Sequence, residues 1–323
     1  TKSQNKTLDQ INKFLSSDND VFILNGAAGT GKTTLCKEIT NQLDKSNKYE
    51  YILLAPTGRA SRVIASKTNK DANTIHKHIY TQSKIIEFTK KKGSADLKTT
   101  FYIKENEQNQ PTIYIIDESS MISNKYSDTK NLIYGSGYLL DDLIQHIFIK
   151  SDYKNKIIFV GDKAQLPPIR TNLSPALDSK ELIEMYDLKV CTSNLYEIVR
   201  QNKNNELLKD AKLIREQIEK NNYTKFKLSS NSKNSKEVSY YDLENKFLES
   251  YTIGKFDNPI MITHSNKSSK YKNDWLRKKL FKNKQKLFHI EIGESLICVH
   301  NSYKNNILNG DHVIVKDILF ESH

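Results

Sequence analysis

Eight residues near the start of the chain, Gly26-Ala27-Ala28-Gly29-Thr30-Gly31-Lys32-Thr33, limit its possible folds more than any other stretch. They fit G-x-x-x-x-G-K-[ST], directly after an apolar run at residues 21–24 and before a segment with helical spacing at 32–43. Glycines in such a loop let backbone N–H groups converge on phosphate oxygens, and the helix N-terminus adds partial positive charge at the same point. In that frame Lys32 reaches the outer phosphates of ATP and the Thr33 hydroxyl holds Mg²⁺. Gly26, Ala28, Gly29, Thr30, Gly31 and Thr34 complete the expected cradle. A Gly-rich turn with no ligand is the alternative, and strand, loop, Lys and Thr in series outweigh it.

Further apolar runs at residues 51–54, 113–116 and 157–160 alternate with helical spacing, as at 58–66. The order strand, helix, strand, helix predicts a doubly wound α/β domain with a parallel sheet. Asp117-Glu118 follows the run at 113–116. Asp117 is placed to hold the metal, and Glu118 to orient and deprotonate the attacking water, which marks a hydrolase. An acidic pair ending a strand is common, so these residues take their weight from lying downstream of the phosphate loop. The charged and Thr-rich stretch 81–110, with Lys90-Lys91-Lys92-Gly93 and a strand-like 99–103, reads as an inserted hairpin.

Beyond residue 190 the pattern changes. Leu207, Leu208, Ala211, Ile214 and Ile218 fall at helical spacing, read as ordinary core packing, and a polar Ser/Asn/Lys-rich loop follows at 229–237. A second, less complete α/β pattern is expected from a strand at 260–263, a helix at 268–281 and strands near 296–299 and 312–315. The expected organisation is a first lobe over 1–190 and a second over 191–323.

The chain carries 50 Lys+Arg against 38 Asp+Glu, a formal net charge of +12. That surplus favours a polyanionic partner such as nucleic acid, although compositional bias toward Lys accounts for it equally well. Cys36, Cys191 and Cys298 are far apart with no CxxC spacing, which implies neither a disulfide framework nor a zinc site. No apolar run approaches the ~18 to 20 residues of a membrane span, and no signal-peptide core is present, so a cytoplasmic protein is expected.

Taken with these motifs, the remaining blocks resemble superfamily 1 DNA helicases of the RecD/Dda-like branch that runs 5′ to 3′. Leu54-Ala55-Pro56-Thr57-Gly58-Arg59-Ala60 is similar to the family's second motif, and Thr74-Ile75-His76 to the short block after it. Asp117-Glu118-Ser119-Ser120-Met121 matches the family's form of the carboxylate motif. Gly161-Asp162-Lys163-Ala164-Gln165-Leu166-Pro167-Pro168 matches the next block and is the most diagnostic segment. Leu195-Tyr196-Glu197-Ile198-Val199-Arg200-Gln201 resembles the block opening the second lobe. Ile262-Thr263-His264-Ser265-Asn266 resembles that lobe's first strand, and Asn301-Ser302-Tyr303 with Leu308-Asn309-Gly310-Asp311 the entry to a small inserted β-barrel near 295–323.

The resemblance implies a P-loop NTPase (RecA-like) α/β fold with a second, incomplete RecA-like lobe. It implies an ATP- and Mg²⁺-dependent motor acting as a monomer on single-stranded DNA. Gln165 would sense the γ-phosphate, Arg200 would act as an arginine finger, and Gln10 would read adenine. Pro56, Thr57, Gly58, Arg59, Thr74, His76 and Asn266 would line the nucleic-acid path. The family's last two motifs have no counterpart before residue 323, so a fragment of a longer protein is expected. A regulatory P-loop ATPase and an RNA helicase of the same superfamily are the alternatives. Gln165, Arg200 and the Pro56-Thr57-Gly58 block argue against the first, and backbone contacts separate DNA poorly from RNA.

Overall fold

The computed structural model describes residues 1–89, 95–127, 132–169, 171–197, 206–220, 222, 228–229, 235–281, 290–299, 307 and 310–319. The chain divides into two units, Thr1–Asn205 with Ala211–Phe226, and Glu206–Asp210 with Lys227–His323.

The first unit opens with α1 (Lys2–Leu15), β1 (Val21–Gly26), α2 (Lys32–Ser46), β2 (Glu50–Ala55), α3 (Gly58–Thr68), β3 (Ala72–Thr74) and α4 (Ile75–Ile79). It continues with β4 (Tyr80–Thr89), β5 (Ala95–Ile103), β6 (Thr112–Ile116), β7 (Leu132–Tyr134), α5 (Leu139–Ile144), β8 (Lys156–Gly161), α6 (Ser179–Tyr186) and β9 (Val190–Leu195). Six strands pair in the order β3-β2-β6-β8-β1-β9, every neighbour parallel. The last strand, β9, lies past the expected lobe boundary at 190 and completes the first lobe's sheet beside β1.

The apolar runs stand as continuous strands because the sheet is covered on both faces. Val21, Ile23, Tyr114, Ile116, Ile157 and Phe159 point to one side, against Ile75 and Ile79 of α4 and Leu140 and Leu143 of α5. Their alternates Phe22, Leu24, Ile113, Ile115, Ile158 and Val160 point to the other, against Ile11 and Phe14 of α1, Leu35 and Ile39 of α2 and Ile64 of α3. Each such side chain contributes roughly 1.5–3 kcal/mol on burial, so the two layers fix the register of every strand.

The expected insertion consists of β4 and β5, antiparallel, with β7 added parallel to β5. The Lys90-Lys91-Lys92-Gly93 turn lies outside the described residues. The buried Asp142 carboxylate ties this sheet down, accepting from the Tyr80 hydroxyl at 2.6 Å and the Ser136 hydroxyl at 2.7 Å. Gly135 turns there with φ +48, and a side chain at that position would run into the same carboxylate.

In the second unit, α8 (Tyr240–Ser250) and α9 (Asn266–Leu280) accompany an antiparallel pair, β10 (Ser295–Ile297) and β11 (His312–Ile314). The expected strand at 260–263 does not form. Ile260 and Ile262 are 83% and 93% exposed, and a strand is stable only when a neighbour takes its backbone hydrogen bonds. Among the described residues this unit has no parallel sheet. Within the expected β-barrel region, Asn301-Ser302-Tyr303 and Leu308-Asn309 lie outside the described residues. The helix α7 (Glu206–Glu219) spans the division between the units, and contrary to the core packing expected of it none of its residues is fully buried. No helix among the described residues is long and apolar enough to cross a membrane.

Beneath β6, His78 packs its ring 5.3 Å from that of His146 and 5.8 Å from Tyr114. Burial, then the neighbouring His146 and Lys104, push the His78 imidazole down to about 4 from the ordinary 6.5. The unfolded chain therefore binds more protons than the folded one between those values, and stability falls as pH drops through that window. Replacing His78 with Phe removes this titration, so the loss of denaturant stability between pH 6.5 and 4 should be smaller in His78→Phe than in wild type. Equal slopes in urea melts across that range would contradict the assignment.

Candidate phosphate site

The parallel sheet brings the C-terminal ends of β1, β6 and β8 to one edge, and the loops that leave those ends carry the chemistry. After β1 the chain turns through Gly29 at φ +82 and Gly31 at φ +87 before α2 begins. A side chain at Gly31 would collide with the Gln4 amide, which donates to the Thr30 carbonyl at 3.0 Å. At Gly26 a Cβ would lie 2.8 Å from the Thr30 hydroxyl, so that position too has room only for glycine. Thr30 is buried and donates to the Ala27 carbonyl at 2.8 Å, closing the loop on itself. Gly31 offers no side-chain cap, which leaves the first amides of α2 without a side-chain acceptor.

The Lys32 ammonium folds back over this loop and donates to the carbonyls of Gly26 at 2.6 Å and Ala27 at 3.2 Å. Burial pulls its pKa down, and the carboxylates of Asp162, Glu118 and Asp117 oppose that shift. Asp117, 5% exposed, directly follows β6 with its N–H bonded to the Leu54 carbonyl of β2, and it accepts from the Glu118 N–H at 2.9 Å. Burial raises the carboxyl groups of Asp117 and Glu118, and for Glu118 the adjacent Asp117 charge raises it further. Glu118 holds a left-handed backbone with φ 52 and ψ 36, a conformation costing a non-glycine residue on the order of 1 kcal/mol.

Gln165 reaches the same hollow from the turn after β8, where its amide carbonyl accepts from the Ser120 hydroxyl at 3.3 Å. One pocket is thus lined by Ala28, Gly29, Gly31, Lys32, Thr33, Asp117, Glu118 and Gln165, together with Thr57 and Arg59. Thr34 is exposed on α2 and does not line it. Gln10 sits elsewhere, in a second hollow with Lys6, Asn194 and Tyr196, where it accepts from the Ser193 hydroxyl at 2.7 Å. Arg200 lies outside the described residues.

The residues expected to meet nucleic acid divide differently. The Thr57 hydroxyl caps α3 by accepting from the Ala60 N–H, and the Thr74 hydroxyl caps α4 by accepting from the Lys77 N–H, each at 3.2 Å. Pro56 precedes that first cap, and Gly58 is a buried first residue of α3. The His76 ring packs 5.0 Å edge-on to Tyr134 and 5.6 Å from Tyr80, inside an aromatic cluster. Asn266 is exposed at the first position of α9, in the second unit. Arg215 went unnoticed in the sequence: it sits on α7 and pairs with the nearly buried Asp162 at 2.6 Å, and no motif marks it.

A family model described as an AAA domain matches residues 10–171. Uncharacterized protein R530 of Acanthamoeba polyphaga mimivirus is 28% identical over 311 residues, which cover 88% of this chain and 57% of that protein. The ATP-dependent DNA helicase dda of enterobacteria phage T4 is 36% identical over 76 residues, 24% of this chain and 17% of the phage protein. A solved structure of two coordinating Pif1 helicases at forked duplex DNA shares the fold, with a TM-score of 0.51 and 17% identity, over 99% of this chain and 72% of that one. The chain spans about half of the mimivirus protein and less than a fifth of the phage protein.

The pocket's charge makes a direct test available. Lys32→Ala should weaken binding of a nucleoside triphosphate at least about tenfold, the effect of removing one charge-assisted contact to phosphate. The free protein's melting temperature should change by less than about 3 °C, because the desolvation cost of burying the ammonium offsets its two carbonyl bonds and its attraction to Asp117, Glu118 and Asp162. Fluorescence titration and a thermal melt read the two quantities, and undiminished affinity would remove Lys32 from the site.

Proposed function

The chain belongs to the AAA domain family, and from that premise we propose that it is an ATP-driven motor of the superfamily 1 helicases that moves 5′ to 3′ along single-stranded DNA. The observation that carries this reading is the meeting of Lys32, Thr33, Asp117, Glu118 and Gln165 in one pocket at one sheet edge. Phosphate binding alone would need the first two. A hydrolase needs the carboxylates and a group that distinguishes triphosphate from product.

The residues fit a nucleotide with its metal. The Thr33 hydroxyl and the Asp117 carboxylate, both lining the pocket, supply hard oxygen donors. Two protein oxygens suit Mg²⁺, which takes its other ligands from phosphate and water, and the ion would neutralise phosphate charge there. Lys32 exchanges its two loop carbonyls for the outer phosphate oxygens. Glu118, its carboxyl raised by burial and by Asp117, takes the proton of the attacking water. Gln165, already bonded through its carbonyl to Ser120, has an amide N–H₂ left to read the γ-phosphate. To Arg200 we assign the stabilisation of charge that develops on the transferred group. Gln10 with Tyr196 forms the base-reading hollow. We assign Pro56, Gly58, Arg59 and Asn266 to the single-strand path, with Thr57, Thr74 and His76 shaping its walls, and place the protein in the cytoplasm as a monomer.

The test is ATP turnover with and without single-stranded DNA or RNA, followed by strand separation on duplexes with opposite tails. Turnover should rise several-fold with single-stranded DNA, and unwinding should require a 5′ tail. A preference for RNA or for a 3′ tail would replace the assigned substrate or direction. DNA affinity should also fall steeply as salt rises, through counterion release from the basic surface.

Glu118→Gln isolates the chemical step. It should leave triphosphate affinity within about threefold of wild type and cut turnover on the order of 10²-fold, the usual contribution of a general base. Comparable turnover in both proteins, measured by phosphate release, would take the base away from Glu118.

A further inference from the structure

Asp162 is the third carboxylate near Lys32, and the motor reading gives it no task. It follows β8, the strand lying between β6, which delivers Asp117 and Glu118, and β1, which delivers the phosphate loop. Only 2% exposed, it is fixed on several sides. One carboxylate oxygen accepts from the Ala164 N–H at 3.0 Å, its backbone carbonyl accepts from the Gln165 N–H at 3.0 Å, and the other carboxylate oxygen meets the Arg215 guanidinium at 2.6 Å. The next residue is pinned as well, since the Lys163 N–H donates to the Asn25 side chain of β1 at 3.0 Å.

Arg215 belongs to the part of α7 that falls in the first unit. Its side chain is 24% exposed, in a helix with no fully buried residue. Without it, Asp162 would be a buried charge whose remaining hydrogen-bond donor among the described residues is the Ala164 N–H, beside a pocket that already holds the Asp117 and Glu118 carboxylates.

We propose that Arg215 is a positioning residue of the phosphate site, which neutralises Asp162 and holds the 162–165 turn so that the outermost phosphate of a triphosphate meets Lys32 and Gln165 instead of a third free carboxylate. The inference rests on the nucleotide site proposed above. It predicts discrimination, because a diphosphate leaves the outermost position empty and is indifferent to the charge of Asp162 there. A pair that merely fastened α7 to the sheet would affect both nucleotides alike.

Fluorescent mant-AMPPNP and mant-ADP, titrated with Mg²⁺ into the full chain, separate these cases. Arg215→Ala should lower the ratio of AMPPNP to ADP affinity at least about fivefold, since truncating one member of a buried pair leaves the other charge uncompensated. Arg215→Lys should keep the ratio within about twofold of wild type, as should the double variant Arg215→Ala with Asp162→Asn, in which no unpaired charge remains. Should Arg215→Ala fail to fold, the double variant and Arg215→Lys are compared with Arg215→Gln instead, on the same ratio. An unchanged ratio in the single neutral variant, or a double variant as impaired as the single one, overturns the proposal. Wild-type protein that binds AMPPNP but shows no DNA-stimulated turnover would overturn the motor reading and leave this comparison intact; wild-type protein that binds neither nucleotide would overturn both.

Discussion

The phosphate site depends on the burial of β8 between β6 and β1. All six residues of Lys156–Gly161 are buried, four of them large and apolar. That burial fixes the register Ile157 to Val21 on one side and Ile157 to Tyr114 on the other. Because the strands are parallel and in step, their three C-terminal loops leave the sheet side by side. The phosphate loop, the carboxylates and Gln165, distant in sequence, thereby come to line one pocket. A slip of one residue in β8 would turn Ile158 and Val160 to the wrong layer and withdraw Gln165 with them, so the hydrophobic core and the site geometry are specified by the same contacts.

Burial that strong has an electrostatic consequence at the sheet edge. Asp117 and Asp162 are nearly enclosed and Glu118 is partly so; Lys32 faces them from the loop, and Arg215 pairs with Asp162. Desolvation raises the Asp117 and Glu118 carboxyls and lowers the lysine, because burial disfavours the charged form of each. The left-handed backbone at Glu118 adds local strain, held in place by the Ser119 hydroxyl on the Ile116 carbonyl at 2.6 Å and by the short 3-10 turn that follows. Perturbed carboxyls and backbone strain coincide on one residue, and the surrounding packing maintains both.

Much of the first unit was legible because its signals are local. An apolar run followed by Gly-x-x-x-x-Gly-Lys-Thr has few physical realisations, and four such runs with helices between them lead to a two-faced parallel sheet. What escaped was non-local. Strand β9, Val190–Leu195, has polar residues at Thr192, Ser193 and Asn194, which an edge position tolerates, and so it read as the start of another lobe. The run at 260–263 carries the same apolar signature as a core strand but has no neighbour to pair with, and composition alone does not supply one. Arg215 belongs to no motif, and its partner lies 53 residues earlier in the chain.

The motif threonines show a further limit of reading roles from position. Thr57 and Thr74 were expected on the nucleic-acid path, yet each hydroxyl is occupied as the N-cap of its helix, and His76 is engaged with Tyr80 and Tyr134. These uses do not exclude one another. Thr57 lies in the loop that leaves β2 at the same sheet edge, and it lines the phosphate pocket together with Arg59. A cap that fixes where α3 begins therefore fixes Arg59, two residues on, relative to Glu118 and Met121 across the same hollow. A side chain spent on holding a helix start still sets where its neighbours meet a ligand. The recurrence of threonine at such positions then follows as much from the geometry it imposes on α3 and α4 as from any contact its hydroxyl makes.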